Sequence, residues 1–426
     1  MKKSDLILKE VLRKIEPPKE DLEYINKSLK NFTEKLKNLI IKKRINAEVF
    51  VGGSYAKKTL IKKDSYDIDI FLRFDKSYED KKIPEIAKNL LSRIAEFTVI
   101  HGSRDYFRIT LKNNFFIELV PVKKVQNPKD SENITDLSYL HVKYANKKIK
   151  SKQILNEIKI AKAFLHANGC YGAESYINGF SGYSLELLVY HYRGFLRFLD
   201  AMSKVGKEKL IIDIEKRYKN KKEVLIDINS SKLASPVILI DPTYAQRNAL
   251  AALSEETFRK FQNACKTFLK SPSINAFEKK KTDIEKLKAE SLKKSHEFLL
   301  INISTNKQEG DVAGSKLFKF YNHLSDEIKK LFDIKKSGFE YNGKNSGKCF
   351  FAVKKKKEII YPGPFKEDTD NVKKFKSEHK NVFEKGKRIY AREEVKLSIK
   401  EFIEKWKTKN SKRINEMYIT ELKIVT

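Results

Sequence analysis

"VGGSYAKKTLIKKDSYDIDIF", residues 51–71, sets two glycines and a serine ahead of Asp67 and Asp69. The chain around it has 426 residues, 89 Lys+Arg against 56 Asp+Glu, and a formal net charge of +33. Two readings of the acidic pair are open. Basic side chains could neutralise it at a sheet edge, or a metal ion that handles phosphate could sit between the carboxylates. On a strand, residues i and i+2 share a face, so Asp67 and Asp69 point together while Ile68 and Ile70 turn to the core. Glu118 stands in another apolar run, FFIELVPV (115–122), where a lone acid is costly to bury. If that strand lies beside the first, three carboxylates converge. Oxygen ligands of this kind suit Mg2+ alongside substrate phosphates.

The turn tips the balance toward phosphate. Gly52 and Gly53 permit close backbone approach. Ser54 offers a hydroxyl and an N–H at the start of an expected helix, SYAKKTLI (54–61), where an anion is favoured. A Gly-Gly-Ser turn alone means little. Followed at 13 and 15 residues from Ser54 by an Asp pair flanked by Ile and Phe, it is far more specific.

Composition bounds the rest. The chain is long enough for two or three domains, and 40% hydrophobic with 11% aromatic residues is globular. The basic excess points to a polyanionic partner, nucleic acid before an acidic membrane surface, with a lysine-rich proteome as the bland alternative. Cys170, Cys265 and Cys349 are far apart and form no CxxC pair, so neither disulfides nor zinc are expected and a reducing cytosol fits. No apolar run suits a signal peptide or a membrane span.

Along the chain, Leu22, Ile25, Leu29, Phe32, Leu36 and Leu39 form one helical stripe over 20–44, with Pro17 and Pro18 before it. EVFVGGS (48–54) and YDIDIFLRF (66–74) read as strands. FRITL (107–111) and FFIELVPV read as a hairpin around Lys112, Asn113 and Asn114. One helix and mixed strands to about residue 145 make a compact first domain. A mainly helical region follows, with Ile154, Ile158, Ala161 and Leu165 on one face, a helix after GFSGY (179–183), another over 255–270, and a β excursion at VILIDP (237–242). The charged stretch 278–297 reads as a linker or solvated helix. FLLINI (298–303), a helix over 315–332, FEYNG (339–343) and KCFFAVK (348–354) give a β-α-β-β order like half of an RNA-binding sheet.

GGSYAKKTL…DSYDIDIFLRF resembles the signature of the polymerase-β-like nucleotidyltransferases, with Glu118 at their third metal carboxylate. NEIKIAKAFLHANGCYGAESYINGFSGYSLELLVYHY (156–192), DPTYAQRNALAALS (241–254) and GPFKEDTDNVKKF (363–375) are similar, in the same order, to the archaeal, class I CCA-adding enzymes. The resemblance implies an α+β protein with a nucleotidyltransferase head (1–145), a helical central domain (146–275) and an α/β RNA-binding-type C-terminal region (276–426). It implies a cytoplasmic tRNA nucleotidyltransferase that builds the 3′-terminal CCA from CTP and ATP, using Mg2+ and recognising the acceptor stem and T arm. It also implies a homodimer and no membrane association.

The family's roles fall on particular residues here. Asp67, Asp69 and Glu118 take the metal positions, although the third is typically Asp. Ser54 and Lys57 take phosphate contacts, although Arg is more familiar where Lys57 stands. His141 and Tyr171 match nucleotide contacts, Lys162 a triphosphate contact, and Arg247 a base-defining arginine. Each has a blander reading: a solvated Lys162, a core Tyr171, a structural His141, and an Arg247 paired to Asp241. Ser181 is expected to cap the helix after GFSGY. Two rivals remain: another superfamily activity (poly(A) polymerase, or oligoadenylate or cyclic-nucleotide synthase) and a catalytically inactive RNA-binding scaffold.

Overall fold

The computed structural model describes residues 3–279 and 282–425, apart from 103, 113 and 132. The chain folds as two compact units, Met1–Lys280 and Lys281–Thr426.

In the first unit, α1 (Lys3–Ile15) precedes α2 (Lys19–Lys42). Pro18 stops one and starts the other, having no N–H to lose at a helix entrance. The stripe on α2 is the expected one: Ile25, Leu29, Phe32 and Leu36 are buried, joined by Ile40. Each such side chain contributes about 1.5–3 kcal/mol by leaving water. The period then changes to two through β1 (Ala47–Val51), a single turn α3 (Gly53–Ala56), and β2 (Tyr66–Phe74). Next come α4 (Ile83–Leu91), β3 (Thr98–Ile100), β4 (Tyr106–Lys112) and β5 (Phe115–Lys123).

The five strands lie in the order β1-β2-β5-β4-β3. Only β2 and β5 run parallel; the other neighbours are antiparallel. The β4–β5 hairpin is as expected, with Asn114 at φ +67 in its turn, while Asn113 lies outside the described residues. Two expectations are corrected. The helix over 54–61 is only the turn Gly53–Ala56, because Lys58 takes φ +57 and the Thr59 amide closes back on the Ser54 carbonyl at 2.9 Å. The strands to residue 145 are interrupted by α4 and followed by a helix, α5 (Ser138–Lys148).

Beyond α5 come α6 (Lys152–Ala167), α7 (Gly182–His191), α8 (Phe195–Ser203), β6 (Leu210–Ile212), α9 (Lys221–Asp227), β7 (Val237–Asp241), β8 (Tyr244–Asn248) and α10 (Glu255–Lys270). Their shared core is aromatic, with Phe164, Phe180, Phe195, Phe198, Phe261 and Phe268 buried together. Ser181 does cap α7, its hydroxyl accepting from the Ser184 amide at 3.2 Å. The head has its own core, in which Ile68, Ile70, Ile117 and Leu119 of β2 and β5 meet α2 and α4.

The second unit starts with α11 (Ile284–Lys293) in the charged stretch, of which Lys280 and Lys281 lie outside the described residues. It continues through β9 (Glu297–Thr305), α12 (Asp311–Leu331), β10 (Phe332–Tyr341), β11 (Ser346–Lys355), β12 (Glu358–Phe365), α13 (Thr369–Glu378), β13 (Val382–Lys385), β14 (Arg388–Glu394), α14 (Ile399–Lys409), α15 (Ser411–Glu416) and β15 (Ile419–Ile424). The strand read at 339–343 begins earlier, at Phe332, and stops at Tyr341. The sheet β10-β11-β9-β15 is antiparallel throughout. The expected β-α-β-β half is thus completed by α14, α15 and β15, with the small sheet β12-β14-β13 inserted before them.

Candidate active site

Asp67 and Asp69 share the accessible face of β2, where burial alternates as the strand period requires. The parallel register sets Asp69 beside Glu118, and the antiparallel register sets Arg108 of β4 on Glu118's other side. Three carboxylates therefore converge, with a guanidinium among them. Arg108 donates to Glu118 Oε1 from Nη2 at 2.5 Å and from Nε at 3.1 Å, and its Nη2 lies 3.9 Å from Asp67 Oδ1. Sequence reading missed Arg108. Its polar place in FRITL was visible, but the register was not.

Burial, opposed by Lys57 and reinforced by Asp67, raises the Asp69 carboxyl to about 6. Burial against the Arg108 bond, with Asp67 adding repulsion, raises Glu118 to about 7. Asp69 also lies tight on the glycine turn: a Cβ at Gly53 would stand 1.7 Å from its Oδ2, and Gly53 has φ +62. Among the described residues, no three His, Cys, Asp or Glu groups are already disposed as a metal ligand set. The donors nonetheless suit a hard divalent cation, since they are oxygens on adjacent strands, and a cation would bring down the raised pKa values of Asp69 and Glu118.

Lys57 and Lys162 meet on a glutamate that sequence reading missed. Lys57 Nζ lies 2.7 Å from Glu186 Oε2, and Lys162 Nζ lies 3.4 Å from Glu186 Oε1. Lys162 also donates to the Thr59 hydroxyl at 2.8 Å and the Thr59 carbonyl at 3.0 Å. At 3% exposure Lys162 is not the solvated lysine of the bland reading. Burial lowers its pKa to about 8 despite Glu186, and Lys57 adds to the drop. Glu186 stays below its usual range although burial opposes this, because both lysines hold its charge. An acid in the apolar run SLELLV was the available signal. Ser54 is partly buried in the turn.

Tyr171 packs its ring on His166 at 4.1 Å, and a Cβ at Gly182 would come within 2.8 Å of its hydroxyl. Burial and the charges of Glu186, Glu174 and Asp69 raise its pKa, so it faces the same acidic neighbourhood as the carboxylates.

His141 and Arg247 meet on Asp241, at the end of β7. Asp241 Oδ2 accepts from Arg247 Nη1 at 2.6 Å and from His141 Nε2 at 3.1 Å. The pair between Arg247 and Asp241, one of the alternatives above, is present. Lys57 links these groups electrostatically, since its charge bears on Asp69, Lys162 and His141.

A sheet carrying clustered carboxylates behind a glycine turn is the architecture of a polymerase-β-like nucleotidyltransferase. Residues 1–140 match the model of the Second Messenger Oligonucleotide or Dinucleotide Synthetase domain. Residues 156–278 match that of the tRNA nucleotidyltransferase second domain. A solved cytoplasmic RNA terminal U-transferase superposes with a TM-score of 0.50 over 66% of this chain and 100% of that one; at 13% identity the likeness shows the fold alone. The chain is similar to CCA-adding enzymes of archaea. It is 42% identical over 243 residues to the CCA-adding enzyme of Nanoarchaeum equitans, covering 57% of this chain and 59% of that one. It is 32% identical over 283 residues to that of Methanocaldococcus jannaschii, covering 64% and 61%. The matched segments thus span about three-fifths of those relatives' length.

Proposed function

We propose that this protein is a CCA-adding tRNA nucleotidyltransferase, extending or repairing the 3′ end of tRNA from CTP and ATP with release of pyrophosphate. The observation that carries this reading is the convergence of Asp67, Asp69 and Glu118 behind the glycine turn, in a chain that continues as a tRNA nucleotidyltransferase second domain. Division into a head (1–145), a helical domain (146–275) and a C-terminal RNA-binding region (276–426) belongs to the same proposal, as do a cytoplasmic location and a homodimer. No helix among the described residues is long and apolar enough to cross a membrane.

Asp67, Asp69 and Glu118 would hold Mg2+, which when bound supplies Lewis-acid activation and charge neutralisation for phosphoryl transfer. Arg108 shares oxygens with that site and would have to yield Glu118 to it. Lys57 and Lys162 supply positive charge to the triphosphate. Glu186 holds their ammonium groups in one place and limits their net charge. Tyr171 offers a flat face and a hydroxyl toward the sugar. Ser54 contributes a hydroxyl from the turn.

The test is incorporation on tRNA lacking CCA, with CTP, ATP and Mg2+. Two C residues, then one A, then arrest is the expected result, and a minihelix of acceptor stem and T arm should serve nearly as well. Long A tails would instead identify a poly(A) polymerase. Cyclic or 2′–5′ products formed without tRNA would identify a synthase, the activity class named by the family model matching residues 1–140. Bound tRNA with no incorporation would identify a scaffold.

A further inference from the structure

Thr59 commits every polar atom it has to the junction between the glycine turn and the helical region. Its amide donates to the Ser54 carbonyl at 2.9 Å, which closes the turn. Its carbonyl accepts from Lys162 Nζ at 3.0 Å. Its hydroxyl accepts from the same Nζ at 2.8 Å and donates to Glu186 Oε1 at 2.9 Å. The residue is 1% exposed, although lysine pairs flank it in KKTLIKK (57–63).

The direction of each bond is fixed by the partners. An ammonium only donates and an ionised carboxylate only accepts, so the Thr59 oxygen serves Lys162 and its proton serves Glu186. Glu186 keeps its charge against burial because Lys57 and Lys162 stabilise it. The branched Cβ of Thr59 limits its hydroxyl to few rotamers. The three contacts of Lys162 are unequal. Two go to Thr59 within 3.0 Å, and the third, to Glu186 Oε1, is 3.4 Å, which is long for a hydrogen bond. Lys57 holds the other Glu186 oxygen, Oε2, at 2.7 Å. Thr59 is therefore the firm partner of Lys162, and Glu186 is the one that a phosphate oxygen could replace.

Resting on the function proposed above, we infer that Thr59 is a positioning residue for the triphosphate, docking the glycine turn on α6 and α7 so that Ser54, Lys57 and Lys162 act as one phosphate-binding unit. Lys162 keeps both bonds to Thr59 when a triphosphate binds and transfers its third N–H from Glu186 to a phosphate oxygen. That exchange does not strand Glu186, because the Thr59 hydroxyl still donates to Oε1. The ligand class is a triphosphate, inorganic or nucleoside-linked, since no group in this unit reads a base.

Thr59→Val keeps the shape and removes the hydroxyl, leaving a buried ammonium and a buried carboxylate each short of one bond. On tRNA lacking CCA, KM for CTP and for ATP should each rise by at least about 10-fold, with a smaller change in kcat, because the phosphates are common to both. Calorimetric affinity for inorganic tripolyphosphate with Mg2+ should fall by a similar factor. Thr59→Ser, which keeps the hydroxyl, should restore most of both. A merely structural Thr59 would lower kcat and thermal stability at unchanged KM and tripolyphosphate affinity, which would overturn the inference. Should Thr59→Val fail to fold, a crystal structure of the wild type with tripolyphosphate decides the matter. Lys162 Nζ is expected within hydrogen-bond distance of Thr59 Oγ1, and a lysine swung off Thr59 overturns the anchor. If the wild type adds CCA and Thr59→Val binds tripolyphosphate as the wild type does, the inference falls and the parent function stands. If the wild type adds neither C nor A, while tripolyphosphate binding is lost in Thr59→Val and regained in Thr59→Ser, the parent function falls and the positioning role stands.

Discussion

Asp69 and Glu118 are register partners on the one parallel strand pair of the head sheet, and the Asp69 carboxylate rests on the backbone of Gly53. Parallel pairing of β2 with β5, and not proximity in the chain, is what brings the third acid to the first two.

Gly53→Ala should therefore act on the acid through the turn. The new methyl would overlap Asp69 Oδ2 and would strain a residue at φ +62. Expected is a loss of transfer of at least about 100-fold with a stability loss of about 1–3 kcal/mol. Primer-extension rates and thermal melting check it, and near wild-type transfer would show that Asp69 need not sit where it does.

Glu118→Asp should retain transfer, because a carboxylate remains beside Asp69. Glu118→Ala should not, and neither should Asp67→Ala or Asp69→Ala. All four variants should still bind tRNA, measured by filter binding, because these acids belong to the reaction site and not to a basic surface. Arg108→Ala should lower the Mg2+ concentration needed for half-maximal rate, since Arg108 competes for Glu118 and Asp67.

Lys162 sets a pH dependence. Its pKa is lowered to about 8 by burial, against an ordinary value near 10.4. Above about pH 8 the folded protein gives up this proton while the unfolded chain keeps it. Stability attributable to Lys162 should therefore rise from about pH 8 toward the ordinary lysine range. Triphosphate affinity should move the other way, with KM for CTP climbing as the charge is lost. In Lys162→Met, KM should be high at every pH and flat across this window. A wild-type KM that does not change between about pH 7 and 9.5 would remove Lys162 from triphosphate binding.

Binding of tRNA should be strongly salt-dependent, as expected of a chain with a net charge of +33. An affinity loss of about 100-fold or more between about 50 and 200 mM salt is expected from counterion release. An affinity flat over that range would mean that the lysines are solvated surface and the contacts lie elsewhere.

Much of this was written locally. The stripe from Ile25 to Leu36 and the alternation in YDIDIFLRF are periodicities that the backbone imposes within a few residues, so helix, strand and the common face of Asp67 and Asp69 could be read directly. The Ser181 cap was legible for the same reason. The turn after Gly53 was misjudged because Lys58 adopts a left-handed conformation that its residue type does not announce.

What the chain alone determined was which side chains face which way along each element; which of them meet was decided by packing between segments remote in sequence. Thr59 bonds Glu186 across 127 residues, and His141 reaches Asp241 across 100. Arg108 finds Glu118 only through strand register. Composition marks a charge but does not choose its partner. Once the cores of the head and the helical region exclude water, each buried ion must be paired, and the fold settles which neighbour is within reach.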